Sequence, residues 1–202
     1  MCSSDLGICS AQGEFDPASH VRVGAMLRRM AARGCDDSGI HNGSAGVLGC
    51  NRYFTSSTDA LGVQPVGDIV NDVWVVADAR LDNRDELRDE LDLGLAAEDM
   101  SDAELILRCY LKWGCNTAQQ LEGDFAFAVW DNNQRQLYAA VDAFAVRPFY
   151  FHYADNCLAF ASSINGLMAS ELFEPQVDDD RAAAMLADRT PRYHAEIGRA
   201  HV

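Results

Sequence analysis

Positive charge is scarce in this chain: 16 Lys and Arg stand against 31 Asp and Glu in 202 residues, a formal net charge of −15. No Lys/Arg cluster interrupts that balance, so there is no electrostatic footprint for a nucleic-acid backbone or an anionic membrane surface. Long apolar runs are missing too. Stretches such as Phe125 to Trp130 fall far short of the roughly 18 to 20 residues that cross a bilayer. The first residues carry neither a basic n-region nor an apolar h-region, which makes a cytoplasmic location the expectation. Seven cysteines lack any C-x-x-C spacing, and five histidines form no ligand pair at helical separation, so neither a zinc site nor a disulfide framework is expected. Internal repeats, low-complexity tracts and a phosphate-binding loop are also absent. What is there, 49% hydrophobic, amounts to one domain or one domain plus a stub.

The two ends share a relationship that protein physics does not produce. Met1 to Leu6 and Glu196 to Val202 can be encoded by DNA stretches that are reverse complements of one another, as read-through of a short sequencing adapter would give. Residues 1–6 and 196–202 are therefore expected to be extraneous, with native sequence from about Gly7 to Ala195.

Between those limits, Gly7 to Phe15 has strand character, and Asp16-Pro17 offers an N-cap and a proline at the first helical position. That predicts a helix to about Arg33, closed by Gly34 as the residue after its C-cap. A turn-rich segment from Gly34 to Ser44 leads to a short strand at Gly46 to Cys50 and a clear one at Val73 to Ala79. Asn83-x-x-Glu86 and Ser101-x-x-Glu104 have the form of capping boxes. The second opens a helix whose stripe of Leu105, Ile106, Cys109, Tyr110 and Trp113 stops at Gly114. Phe125 to Trp130, Gln136 to Asp142, Phe149 to Tyr153 and Leu158 to Ser162 read as strands joined by short turns, hence antiparallel, with Phe125, Phe127 and Val129 facing a core. The class is α+β. After Ala169, Glu174-Pro175 and the acidic run Asp178 to Asp180 mark a linker into a helix from Arg181 to Leu186.

Several separated segments resemble one family in order. Arg33-Gly34-Cys35-Asp36-Asp37-Ser38-Gly39 is similar to the R-G-P-D-x-S-G segment of class II glutamine amidotransferases, specifically the N-terminal domain of asparagine synthetase. Leu48-Gly49-Cys50-Asn51-Arg52 follows in place of L-x-H-x-R, then Gln64-Pro65, Ser101 to Glu104, Leu121 to Asp131, and Asp142 to Tyr150. The resemblance implies a four-layer αββα N-terminal-nucleophile (Ntn) hydrolase sandwich with two antiparallel sheets, here over residues 7–169, followed at 170–195 by a linker and the start of a truncated synthetase-like domain. In such proteins an N-terminal Cys attacks the side-chain amide of glutamine, and the chain's own α-amine, with a pKa of about 7.7 to 8, takes the thiol proton. That nucleophile falls at position 6, which is Leu6; Cys2 aligns too early and lies in the adapter-like stretch, so it is disfavoured. The resemblance carries Arg52 onto the arginine that binds the glutamine carboxylate and Asp102 onto the aspartate that helps bind its amino group. Bland alternatives are an acidic surface partner for Arg52 and a helix-dipole role for Asp102.

The departures are chemical. Where working asparagine synthetases read N-G-E-I-Y-N, this chain has Asp78-Ala79-Arg80-Leu81-Asp82-Asn83. An asparagine amide donates to the oxyanion; an ionised Asp78 only accepts. Arg80 replaces the glutamate that meets the substrate ammonium, Ala79 replaces glycine, and Ala145 replaces the glycine of D-x-F-G. The expected function is therefore a glutamine amidotransferase-like domain whose glutamine hydrolysis is lost, in an asparagine synthetase-related, amide-forming ligase. ATP and Mg2+ are expected for the missing synthetase domain in cis, none for this fragment, and family habit adds a homodimer. Relatives with altered glutaminase domains, such as β-lactam synthetases, use an amine already in the substrate. Two other readings stay open: an active glutaminase feeding a true asparagine synthetase, and a purely structural module supporting the synthetase domain.

Overall fold

The computed structural model describes residues 4–10, 17–34, 36–54, 60, 62–94, 99–176 and 179–187. Nine strands lie in two antiparallel sheets. The first has the order β2-β3-β1-β9-β8, from β1 (Ser4–Ser10), β2 (Asp37–Asn42), β3 (Gly46–Arg52), β8 (Tyr150–Ala154) and β9 (Cys157–Ala161). The second has the order β4-β5-β6-β7, from β4 (Val66–Asp68), β5 (Val73–Leu81), β6 (Gly123–Asp131) and β7 (Gln136–Val141). Among the described residues the α-helices are α1 (Pro17–Met30), α2 (Arg84–Glu90), α3 (Asp102–Trp113), α4 (Ile164–Met168) and α5 (Asp179–Leu186).

The period-two alternation of the strands builds four layers. In β1 and β3, Leu6, Ile8 and Val47 point outward onto Val23, Met26 and Leu27 of α1, with Leu167 of α4 in the same cluster. Cys9, Leu48 and Cys50 point inward, where they meet Val76, Ala126, Ala128 and Trp130 of the second sheet, and Phe149 stacks on Phe160 at 5.2 Å. On the outer face of that sheet, Phe125, Phe127 and Val129 pack on Leu105, Ile106, Cys109 and Tyr110 of α3. Fully burying an aromatic such as Phe127 stabilises the fold by roughly 1.5–3 kcal/mol. The small residues Ala126 and Ala128 on the inner face let the sheets approach.

Four local expectations are corrected. Strand β1 begins at Ser4 rather than Gly7, with Leu6 paired to both Gly49 and Ala161. The segment after Gly34 is not merely turns: β2 occupies Asp37–Asn42, pairing with β3. Gly34 is extended, at φ −146° and ψ 107°, so it is no left-handed cap; a Cβ there would lie 2.5 Å from the backbone of Asn51, and this close approach requires glycine. Asn83 does not cap α2. Its amide bridges two loops, donating to Gln120 O at 2.9 Å and accepting from Glu122 N at 3.0 Å. The Ser101–Glu104 capping box is present in full. The expected strand from Gly7 to Phe15 runs beyond Ser10 into residues outside those described, as do Cys2, Cys35 and Asp16.

Candidate functional site

Alternation along β5 decides which groups meet. Val76 faces the inter-sheet core, so Asp78 and Arg80 share its side of the strand, while Ala79 packs against the helix-facing core. On β3, Cys50 is inward, which places Arg52 on the same side. On β1, Asp5 lies on the inward face and Leu6 is fully buried in the α1-facing core. One end of the sandwich thus gathers Asp5, Cys50, Arg52 and Asp78 between the sheets, and all four are buried. Ala79 is a strand residue here, opposite Phe125 in β6.

Arg52, Asp78, Arg80 and Asp102 each have a counter-charge from the chain itself. Arg52 Nη1 donates to Asp37 Oδ2 at 2.9 Å, and the Arg52 guanidinium lies over the Phe54 ring at 4.8 Å. Asp78 Oδ1 lies 3.7 Å from Nη1 of Arg147. Arg80 is largely exposed and pairs with Asp82 at 3.1 Å and Asp124 at 3.5 Å. Asp102, at the start of α3, accepts from Leu81 N at 3.1 Å through Oδ2 and pairs through Oδ1 with Arg84, whose other nitrogen reaches Met100 O at 2.6 Å.

Arg147 is delivered by a rigid turn. The buried Asp142 carboxylate accepts from Phe125 N, Phe144 N at 2.9 Å and Val146 N at 3.0 Å. Ala145 sits within this turn at φ +49°, the left-handed conformation natural to the glycine it replaces. Gln64 fixes β5 just before Asp78: its amide donates to Ala77 O at 2.9 Å and accepts from Ala77 N at 2.8 Å. Gly39 lets β2 reach that loop, since a Cβ there would fall 2.0 Å from Gln64 O. Two of the separated sequence segments therefore touch.

The buried carboxyl and thiols are held in their neutral forms. Burial raises the Asp5 carboxyl well above the ordinary carboxylate range, and the nearby Asp78 charge raises it further, against the Cys50 thiol and the Asp78 backbone N–H that hydrogen-bond to it. Asp5 Oδ1 accepts from the Cys50 thiol at 3.3 Å, while Oδ2 is buried without a hydrogen bond. Burial, with Asp5 adding to it, likewise raises the Cys50 thiol, and burial holds Cys9 high and pushes Cys109 to about 12. These are core thiols, not nucleophiles. Among the described residues no group of three or more His, Cys, Asp or Glu is arranged to hold a metal ion, and no helix is long and apolar enough to cross a membrane.

Of the sequence-expected residues, Arg52 and Asp78 enter the buried cluster, Arg80 lies at its exposed margin, and Asp102 joins through Leu81. The sequence patterns assign no site role to Asp5, Asp37, Arg84 or Arg147. Asp37 and Arg84 carry no motif of their own, although the strand period tells that Asp78 and Arg80 share a face and need counter-charges.

Comparison with known proteins agrees with this architecture. A family described as a glutamine amidotransferase domain matches residues 6–199. The chain is 31% identical over 159 residues to asparagine synthetase [glutamine-hydrolyzing] 3 of Bacillus subtilis, covering 76% of this chain and 25% of that protein. It is 29% identical over 147 residues to asparagine synthetase [glutamine-hydrolyzing] 1 of the same organism, covering 72% and 23%. The chain thus spans about a quarter of the length of these relatives. Among solved structures, glutamine phosphoribosylpyrophosphate amidotransferase from B. subtilis superposes with a TM-score of 0.63 at 16% identity, over 83% of this chain and 43% of that one, and so shares the Ntn sandwich. The chain belongs to the glutamine amidotransferase domain family, in the class II form carried by asparagine synthetase-like proteins.

Proposed function

We propose that residues 7–169 are an amidotransferase-type domain that no longer hydrolyses glutamine and that serves a larger ATP-dependent, amide-forming enzyme. The observation that carries this reading is Asp78: at the position of the oxyanion-donating amide stands a carboxylate, 5% exposed and paired with Arg147. A carboxylate only accepts hydrogen bonds, so it repels the negative oxygen of a tetrahedral intermediate. Loss of one oxyanion donor costs about two to three orders of magnitude in rate. Arg80 adds a cation where the substrate ammonium would approach. The domain's role is then to pack on the remainder of the parent enzyme. ATP and Mg2+ belong to that remainder, which activates a carboxylate for attack by an amine.

The test is glutamate release from a Leu6→Cys chain that begins at the substituted residue. Turnover is expected to be absent. Rapid glutamate release with Asp78 and Arg80 intact would establish a working glutaminase instead.

A further inference from the structure

Four charged positions matter to amino-acid recognition at this site, and the chain supplies a counter-charge to each. Two of these pairings have the chemistry of the ligand itself. Arg52, whose side chain is 6% exposed, is met by the Asp37 carboxylate at 2.9 Å. Asp102, 16% exposed at its side chain, is met by the guanidinium of Arg84, which is also tied to Met100 O. A carboxylate on the arginine and a cation on the aspartate are what the two ends of a free amino acid would present. Asp37 falls at the open position of the R-G-P-D-x-S-G pattern, and Arg84 follows directly on Asn83, so neither belongs to the motif that marks the pocket. Both pairs border β5: Asp78 shares the buried inter-sheet region with Arg52, and Leu81, three residues and so about 10 Å further along the strand, donates its N–H to Asp102.

We infer that the amino-acid pocket is self-occupied: Asp37 takes the place of a ligand carboxylate on Arg52, and Arg84 takes the place of a ligand ammonium on Asp102. This rests on the reading of the domain as a non-hydrolysing amidotransferase relative and goes beyond it, because it names the residues that exclude zwitterionic amino acids. The physical reason is effective concentration. A tethered partner competes at an effective concentration of about millimolar or above, which a free amino acid must overcome before it can bind. At Asp102 the partial burial strengthens the internal pair further, since removing the guanidinium would leave a carboxylate without its cation in a low-dielectric place.

The 202-residue chain is to be titrated with acetate as a carboxylate probe and methylammonium as an ammonium probe. The readouts are the side-chain NMR signals of Arg52 and the carboxyl carbon of Asp102. In the unaltered chain neither signal should respond. Asp37→Asn should open Arg52 to acetate without opening Asp102, and Arg84→Ala should open Asp102 to methylammonium without opening Arg52, each with an apparent affinity raised about tenfold or more. Should Arg84→Ala lower the melting temperature too far for titration, Arg84→Gln removes the charge and keeps a donor for Met100 O. Equal responses in the unaltered chain and the variants would overturn the inference, as would folded variants that respond to neither probe. Glutamine turnover by the Leu6→Cys chain would remove the functional reading together with this one. An unaltered chain that binds both probes, while the Leu6→Cys chain releases no glutamate, would remove self-occupation alone.

Discussion

Asp5 is a carboxyl buried between the sheets with one oxygen lacking a hydrogen bond and the Asp78 charge nearby. Its proton is held more tightly in the folded than in the unfolded chain, so the folded state suffers no penalty below the unfolded carboxyl pKa of about 3.9, and stability is lost as pH rises from there through the raised folded value. Asp5→Asn should therefore match the unaltered chain near pH 3.5 and become more stable than it as pH approaches 7, by about 1–3 kcal/mol, read from urea midpoints at each pH. A gap that stays flat across that range would show that desolvation of Asp5 is not the source. Ala145 is the second case. Its φ of +49° costs an L residue about 1–2 kcal/mol, against which glycine loses 0.4–1 kcal/mol through the unfolded chain, so Ala145→Gly should stabilise by about 0.5–1 kcal/mol in the same assay.

Among the elements, α3 shows how local sequence and tertiary demand coincide. Ser101 Oγ accepts from Glu104 N at 3.3 Å, and the Glu104 carboxylate accepts from Ser101 N at 2.7 Å, so the first turn is closed before any packing is considered. Ser101→Ala should cost about 1 kcal/mol, measured by denaturant titration, while Asp102 keeps its place through Leu81 N and Arg84. The same three-residue spacing fails at Asn83 because a stronger use exists: its amide ties the loop before β6 to the end of β5, and one side chain cannot also cap α2. The apolar stripe of α3 and the strands from Phe125 to Ala161 follow directly from periodicity, since each periodic face has a single large core to cover. β2 is not legible in this way because its residues, Asp37 to Asn42, are mostly polar and largely exposed, with Ile40 the one large apolar side chain, so they carry no apolar alternation and form a strand by pairing along β3.

The whole molecule carries a net charge of −15, and its ion pairs on the surface do little to offset the resulting self-repulsion. Raising the ionic strength to about 0.15 M shortens the screening distance to about 8 Å, so the melting temperature should rise between low and physiological salt. A fall would mean that paired charges such as Arg80 with Asp82 and Asp124 contribute more than the repulsion removed. Phe127→Ala, emptying a position at the centre of the α3-facing core, should cost about 3–5 kcal/mol and broaden or abolish the cooperative transition seen by circular dichroism.

The amino-acid order by itself determined the α+β class, the helix at Ser101, the four strands after Gly123 and the family, because periodic apolar faces and ordered motifs are local properties of a chain. It also placed a carboxylate at Asp78 and a cation at Arg80, the side-chain identities on which the proposed loss of glutamine hydrolysis rests. Only the tertiary structure decided that Asp37 stands on Arg52, Arg147 on Asp78 and Arg84 on Asp102, that Gly34 and Gly39 serve close backbone approaches, and that Asp5 lies buried near a second carboxylate. The reason is sequence distance. Asp37 meets Arg52 through the β2–β3 register, Arg84 meets Asp102 where two helices begin, and Arg147 reaches Asp78 from 69 residues away, so electrostatic partners are set by strand register and packing, which no local spacing encodes.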